Sequence, residues 1–327
     1  MKAVICTQYG GPEVLSIQEV TKPKIENNKI LVKVIASSIT RAESMMRQGT
    51  PKFARLFLGF KKPKAKITGT GFAGIVEEVG DEVNKFSIGD NVFGETTLGF
   101  GTNAEYISIA ENGLIKHKPH LMEFTEAATL CDGAVTAINF LHNLVDTSQV
   151  GNILINGASG SIGTAAIQIA QLMNWTITAV CSGTNAQLVK SLGADRVIDY
   201  TKEDFTAGME SYDLVFDTIG KSSFSKCRAI LKPQGTYLSP VLSLSLLAHS
   251  AITSFTGRKK AKFCATGLQP VNVLTPLLEK LIKWSETGKY HTVIEKIYPM
   301  DKAKEAHQHV DTGHKKGNIV LLHNSFS

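Results

Sequence analysis

Apolar and polar positions change their rhythm near residue 124. Before it, short β-rich runs cover Lys2–Cys6, Leu15–Glu19, 30–37, 73–79 and 91–93. Gly10-Gly11-Pro12, Gly80-Asp81, Gly89-Asp90 and Gly99-Phe100-Gly101 punctuate them. This pattern predicts a small barrel-like β domain. From Phe124 on, helical and strand patterns alternate. Thr125-Glu126-Ala127-Ala128 opens a helix, with Thr125 as its expected cap. Ile153-Leu154-Ile155 is the apolar run of a buried parallel strand, and Ile162, Ala165, Ala166, Ile169, Ala170 and Met173 then recur at helical spacing. A strand over 176–180, a helix over 186–192 and a strand over 196–198 complete a βαβαβ unit. Further on come a strand over 213–217, a helix over 222–231 stopped by Pro233 and Gly235, a strand over 236–238 and an edge strand over 260–265. The tail predicts helices over 273–286 and 300–310 and a last strand over Asn318–Leu322. No internal repeat or low-complexity segment interrupts the chain.

Between the first strand and helix of that unit stand Gly157, Gly160 and Gly163, at G-x-x-G-x-x-G spacing. Such glycines permit a sharp turn and let a pyrophosphate approach the main chain. The helix N-terminus behind them offers unpaired N–H groups to the anion. Small Ala165 and Ala166 let the helix lie close on the sheet. Spacing alone is also met in ordinary tight turns. The surrounding βαβαβ unit turns it into a dinucleotide-binding signal carried by Ala158, Ser159, Gly160, Ser161, Ile162 and Gly163.

Composition narrows the class. A chain of 327 residues suits about two domains. At 43% hydrophobic and 20% charged it can build a sizeable core. The net charge of +6 favours anionic ligands slightly, but no stripe of basic and aromatic residues points to nucleic acid. Cys6, Cys131, Cys181, Cys227 and Cys264 are scattered and odd in number, as expected of a reduced, cytoplasmic protein without disulfides. The N-terminus shows no signal-peptide pattern, and 240–255 is too short and too polar to span a membrane.

Several segments together resemble the medium-chain dehydrogenase/reductase superfamily, in its zinc-free quinone oxidoreductase-like branch. They are Tyr9 to Leu15 (YGGPEVL), Ala73 to Gly80 (AGIVEEVG), Phe86 to Phe93 (FSIGDNVF), Asn103 to Tyr106 (NAEY), Asn156 to Gly163 (NGASGSIG), Leu192 to Tyr200 (LGADRVIDY) and Gly317 to Leu321 (GNIVL). The resemblance covers nearly the whole chain. It implies an α/β protein with a GroES-like β-barrel catalytic domain, residues 1–123 and 266–327, and a doubly wound parallel Rossmann sheet, residues 124–265. It also implies an active site in the cleft between the domains and a homodimer paired through the edge strand at 260–265.

The metal ligands of zinc-dependent relatives are missing. Thr40 stands where those relatives carry a cysteine, and Thr70 and Gly71 stand where they carry a His-Glu pair. No cysteine falls in 90–115, the place of the structural four-cysteine lobe. Cys131, near a third ligand position, reads as a buried small hydrophobe. Zinc-free relatives often keep an Asp where this chain has Gly71. His307 and His309 fall on different faces of a helix in a surface position and do not form a metal pair with His314.

The expected cofactor is NADPH rather than NADH. No acid follows Val180 in Cys181-Ser182-Gly183-Thr184-Asn185, where NAD enzymes hold the ribose. Ser182 and Asn185 can donate hydrogen bonds, and Tyr200 matches a tyrosine that meets the 2′-phosphate in similar quinone reductases. Asn185 equally suits a helix cap, and Tyr200 a packed surface tyrosine. Without a metal or a triad, chemistry would rest on positioning the dihydronicotinamide against a small hydrophobic electrophile, a quinone or an α,β-unsaturated carbonyl. Thr40 is the expected hydrogen-bond donor to the reduced oxygen, or the cap of a helix over 41–47. Thr136 lies by the nicotinamide or is an ordinary helix residue. The basic and aromatic segment 52–66 reads as a solvated loop, with Phe53, Leu56, Phe57, Leu58 and Phe60 available to cover an apolar pocket. Two alternatives stay open: an alcohol dehydrogenase of the same fold, and an NADPH-binding sensor or interaction protein with little turnover.

Overall fold

The computed structural model describes residues 1–256 and 258–323. β1 (Lys2–Cys6), β2 (Leu15–Glu19), β3 (Lys29–Ile39), α1 (Arg41–Gln48), β4 (Gly71–Val79), β5 (Asn91–Glu95), β6 (Tyr106–Ala110), β7 (Leu114–His117) and α2 (Phe124–Thr129) come first. β8 (Asn152–Asn156), α3 (Ser161–Leu172), β9 (Thr176–Cys181), α4 (Ala186–Ser191), β10 (Arg196–Asp199), β11 (Tyr212–Asp217), β12 (Leu231–Ser239), α5 (Leu244–Thr256) and β13 (Lys260–Phe263) follow. α6 (Val271–Glu286), β14 (Ile294–Pro299), α7 (Ala303–Asp311) and β15 (Asn318–Leu322) complete the order.

Contacts divide the chain into two units. One comprises Met1–Asp132, Pro270–Ile282 and Ile294–Ser327, and the other Gly133–Gln269 and Lys283–Val293. The first division thus falls after Asp132, inside a helical stretch, rather than at 123. Residues 324–327, counted with the barrel in the sequence reading, lie outside the described residues.

In the first unit β3 is the organising strand. Of its eleven residues, the stretch from Ile30 to Ser37 pairs with β4 along one edge. On the other edge β6 takes Lys29 to Lys33 and β15 takes Ala36 to Ile39. The sheet order is β14-β15-β3-β4-β5-β7, with β6 on β3. Alternation along these strands buries Ile30, Val32, Val34, Phe72, Val76 and Ile107 in one core. A second core joins Leu15, Ile39 and Ile319 to Ala306 and Val310 of α7.

The second unit is a six-stranded parallel sheet in the order β10-β9-β8-β11-β12-β13. The order reverses between β8 and β11, and open α/β sheets bind ligands at the carboxyl ends beside such a reversal. Ile153, Leu154 and Ile155 are fully buried, as their unbroken apolar run requires of a strand covered on both faces.

Three strands, β6, β7 and β14, were not anticipated. β14 reads IEKIYP and exposes most of its side chains, so charge masks its period. The helix expected over 222–231 is a single turn at Phe224–Cys227, because β12 starts at Leu231 and runs through Pro233 and Gly235. Thr125 is not the cap of α2. Glu123 holds that place, in a reciprocal capping box with Glu126. His307 is fully buried and faces Glu43 at 3.4 Å, which corrects its surface assignment.

Candidate functional site

The glycine turn is built by backbone contacts. The N–H groups of Gly157 and Ala158 both donate to Val180 O, at 3.2 and 3.1 Å, tying the turn to the end of β9. Gly157 has φ +77° and a Cβ there would lie 2.7 Å from Thr218 Oγ1. A Cβ on Gly163 would lie 2.3 Å from Gly157 O, so the third glycine lets α3 start tight against the turn. Gly160 differs: its Cβ would meet nothing nearer than Gly157 O at 3.5 Å. The protein itself leaves room there. Gly160 is the N-cap of α3 and no side chain caps the helix, so its first N–H groups face outward unclaimed by a cap.

The other expected residues group around this turn to differing degrees. Asn185 is buried and donates from Nδ2 to Ser159 Oγ at 3.0 Å, while its Oδ1 has no partner among the described residues. It makes no side-chain cap bond to α4. Ala158 is buried in the same turn. Ser182 shares a hydrogen bond with Thr184 at 3.0 Å. Gly133 packs on Ser161, where a Cβ would lie 2.7 Å from Ser161 C, so the helical segment that carries Thr136 runs beside the start of α3. Ile162 is half-buried in the first turn of α3. Tyr200 is 47% exposed; its N–H reaches Cys181 O at 3.3 Å, and it lines an open cavity of about 390 Å³ with Lys202 and Phe205.

Three features of this unit were not legible beforehand. Asp217, fully buried at the end of β11, accepts from Asn156 Nδ2 at 3.0 Å, Ser222 N at 2.8 Å and the Tyr237 hydroxyl at 2.8 Å. It shapes the loop that walls Gly157. Burial, with the Asp217 charge behind it, pushes the Tyr237 hydroxyl up and keeps it a donor. An acid also stands near the ribose end of the fold, at Asp199 on the next strand. Its carboxylate accepts from Thr201 Oγ1 at 2.7 Å and Thr201 N at 3.0 Å, and these bonds hold its pKa below the usual range. Lys202, 80% exposed, lies 3.8 Å from it. β9–β10 pairing thus brings a basic side chain near 181–185, a stretch with no Lys or Arg of its own.

Thr40 belongs to the first unit. It is buried and caps α1, its Oγ1 accepting from Glu43 N at 2.9 Å. That bond uses an oxygen lone pair and leaves the hydroxyl proton available. Around the same end of the sheet stand Gly71, opening β4, and Glu95, closing β5; the two are direct cross-strand partners. A Cβ on Gly71 would lie 2.5 Å from Ser38 Oγ and 2.8 Å from Ala128 O. Burial pushes the Glu95 carboxyl up to about 8, with the Asp132 charge adding to it. Asp132 rises to about 6 by burial, against the pull of Lys315. Burial in turn lowers Lys315. Phe57, Leu58, Phe100, Met46 and Glu43 line a separate cavity of about 200 Å³, so part of the segment 52–66 forms a wall rather than a free loop.

This donor set does not fit a zinc ion. Thr40 is engaged as a cap, Gly71 has no side chain and no room for one, and burial raises the Cys131 thiol well above its ordinary range. A dinucleotide does fit, at the uncrowded Gly160 and the free Asn185 oxygen. No helix among the described residues is long and apolar enough to cross a membrane.

A parallel sheet with a glycine turn at its reversal point, joined in sequence to a GroES-like sheet domain, defines the class: a dinucleotide-binding oxidoreductase. The comparisons agree. A family model described as "Alcohol dehydrogenase GroES-like domain" matches residues 26–119, and one described as "Zinc-binding dehydrogenase" matches 192–321. The chain is 32% identical to bovine "NAD(P)H oxidoreductase RTN4IP1, mitochondrial", over 98% of this chain and 89% of that one. It is 29% identical to "NADPH-dependent alkenal/one oxidoreductase, chloroplastic" of Arabidopsis thaliana, over 98% and 79%. The solved quinone oxidoreductase of Coxiella burnetii superposes with a TM-score of 0.87 at 29% identity, covering 98% of this chain and 99% of that one. The chain belongs to the medium-chain dehydrogenase/reductase superfamily, in its quinone oxidoreductase-like branch.

Proposed function

We propose that the protein is an NADPH-dependent, zinc-independent reductase of quinones or α,β-unsaturated carbonyls, acting on a small hydrophobic electrophile. The observation that carries this reading is the glycine turn, with Gly160 uncrowded, α3 uncapped and Asn185 fixing Ser159. When bound, the reduced nicotinamide supplies a hydride. The chain's own residues do the rest. The turn at 157–163 receives the pyrophosphate, with Thr136 on the adjoining helical segment. Ser182, Tyr200 and Lys202 meet the 2′-phosphate, for which Lys202 is the counter-charge. The relatives named for alkenal/one and quinone substrates support the acceptor class. The reading includes a homodimer paired through β13 and a cytoplasmic location.

The test is oxidation of NADPH and NADH by chelator-treated protein, with one aromatic quinone and one enone. The expected result is a kcat/KM for NADPH at least about tenfold above NADH, a difference of about 1.4 kcal/mol. Lys202→Ala is expected to narrow that ratio by raising KM for NADPH alone. Equal use of NADH, or activity abolished by the chelator, would sink the reading. NADPH binding without turnover on either acceptor would make the protein a sensor.

A further inference from the structure

We propose that the segment from Pro51 to Lys66 is a docking surface for an anionic lipid membrane, on which the protein lies without spanning it. The proposal is independent of the reductase reading above.

Charge comes first. Residues 44–76 contain seven Lys or Arg and no Asp or Glu. The two arginines are committed to the protein itself. Arg47 donates to Gly10 O at 2.6 Å and to Asp311 Oδ2 at 2.5 Å, and its side chain is fully buried. Arg55 donates from Nε to Gly49 O at 3.0 Å and from Nη2 to Gln48 O at 3.2 Å, and its guanidinium lies 4.4 Å from the centre of the Tyr9 ring. The lysines differ. Lys52, Lys61, Lys62, Lys64 and Lys66 are all exposed, and none has an ion-pair partner among the described residues.

Between these lysines stand Leu56, Phe57 and Phe60, which are 68%, 79% and 74% exposed. One such side chain alone would be ordinary. Three within five residues, flanked in sequence by unpaired cations, form the pattern of a surface that meets a partner. The segment is built rather than loose. Its helical turn, Arg55–Leu58, is tied to the end of α1 by the Arg55 bonds. The Tyr9 hydroxyl donates to Gly59 O at 2.5 Å, and Lys64 N–H closes the loop on Leu58 O at 2.8 Å. Gly59 has φ +123°, and a Cβ there would lie 2.1 Å from Lys62 O, so the turn that presents Phe60, Lys61 and Lys62 requires glycine. Much of the ordering that docking would otherwise cost is therefore met in the free protein.

The chemistry selects the partner. A second copy would bring the same unpaired lysines against these. A nucleic acid calls for guanidinium forks and for flat rings on which bases stack. Here both guanidinium groups are engaged within the protein, and one of the three exposed apolar side chains is the aliphatic Leu56. An anionic bilayer suits both parts of the segment. The ammonium groups meet its headgroups as point charges, while leucine and phenylalanine enter the boundary of the acyl chains. This needs no helix long enough to cross.

The test uses the full chain with vesicles of phosphatidylcholine, alone or with about 30% phosphatidylserine, read by co-sedimentation. Binding is expected to the anionic vesicles only, and to fall at least about tenfold between about 0.1 and 0.5 M salt. Lys61→Glu with Lys62→Glu is expected to weaken it at least about tenfold. Leu56→Ser with Phe60→Ser leaves the charge unchanged and is expected to weaken it by a similar factor. Melting curves like the parent's would show that both variants fold. No sedimentation, or equal sedimentation with both compositions, would overturn the proposal. So would binding that neither variant weakens, which would place the contact elsewhere, or binding that only the charge variant weakens, which would be adsorption without insertion. A single-stranded oligonucleotide bound in place of the vesicles, and lost in the charge variant, would make the segment a nucleic-acid surface instead.

Discussion

Gly160 and Gly163 look equivalent in sequence but are needed for different reasons. Gly163 serves the fold, since a Cβ there would sit 2.3 Å from Gly157 O. Under the proposed function Gly160 serves the ligand instead, since its backbone is ordinary and its surroundings uncrowded by protein. Gly163→Ala is therefore expected to lower the thermal midpoint by several degrees, the effect of about 1–3 kcal/mol of strain. Gly160→Ala should melt like the parent and bind NADPH about tenfold more weakly, a split that calorimetric titration beside a melting curve would read. The fingerprint was legible because its information is local: three glycines, a buried run before them and a helical period after. Glu95 was not. In VFGETT it reads as the polar end of a strand, and only the pairing of β4 with β5 sets it opposite Gly71. The same holds for Lys202 beside Asp199, and for His307 against Glu43, both made by contacts that no short window contains.

At the scale of elements, the ends of helices decide what their residues can do. Thr40 has its oxygen committed to Glu43 N, which fixes the first turn of α1. Thr40→Ala is expected to cost about 1 kcal/mol of stability, and Thr40→Ser almost none, because serine caps as well as threonine. Denaturant unfolding would show this. If kcat falls in Thr40→Ala by more than the stability loss implies while Thr40→Ser keeps it, the hydroxyl proton also serves the acceptor. A fall in both variants would remove the cap as the explanation. Elements were legible where the period was strong, as in β8 and α3, and illegible where charge or proline broke it. β14 carries Glu295 and Lys296 inside a strand, and β12 passes through Pro233 with a register shift against β11. In these places pairing partners overrode local propensity.

For the whole molecule, half-buried and buried ionisable groups make stability depend on pH with opposite signs. Glu95 titrates near 8 when folded against 4.5 ordinarily, so between those values the folded state keeps a proton that the unfolded state has released. Stability then falls as pH rises, with a slope approaching about 1.4 kcal/mol per pH unit for one proton. Asp132 acts in the same sense between 3.8 and about 6. His323 acts the other way. Buried, with its ring Nε2 2.8 Å from Ser37 Oγ, it is pushed down by burial from 6.5 to about 3. The unfolded chain binds its proton first, so this contribution is complete above pH 6.5 and is lost as pH falls toward 3. Between about pH 6.5 and 8 only Glu95 of these three groups changes its charge. Denaturant melts across that window should show the parent losing stability with rising pH and Glu95→Gln holding level. The difference between the two curves cancels the titrations they share. Parallel curves would mean that Glu95 is already ionised at pH 6.5, and would remove this slope.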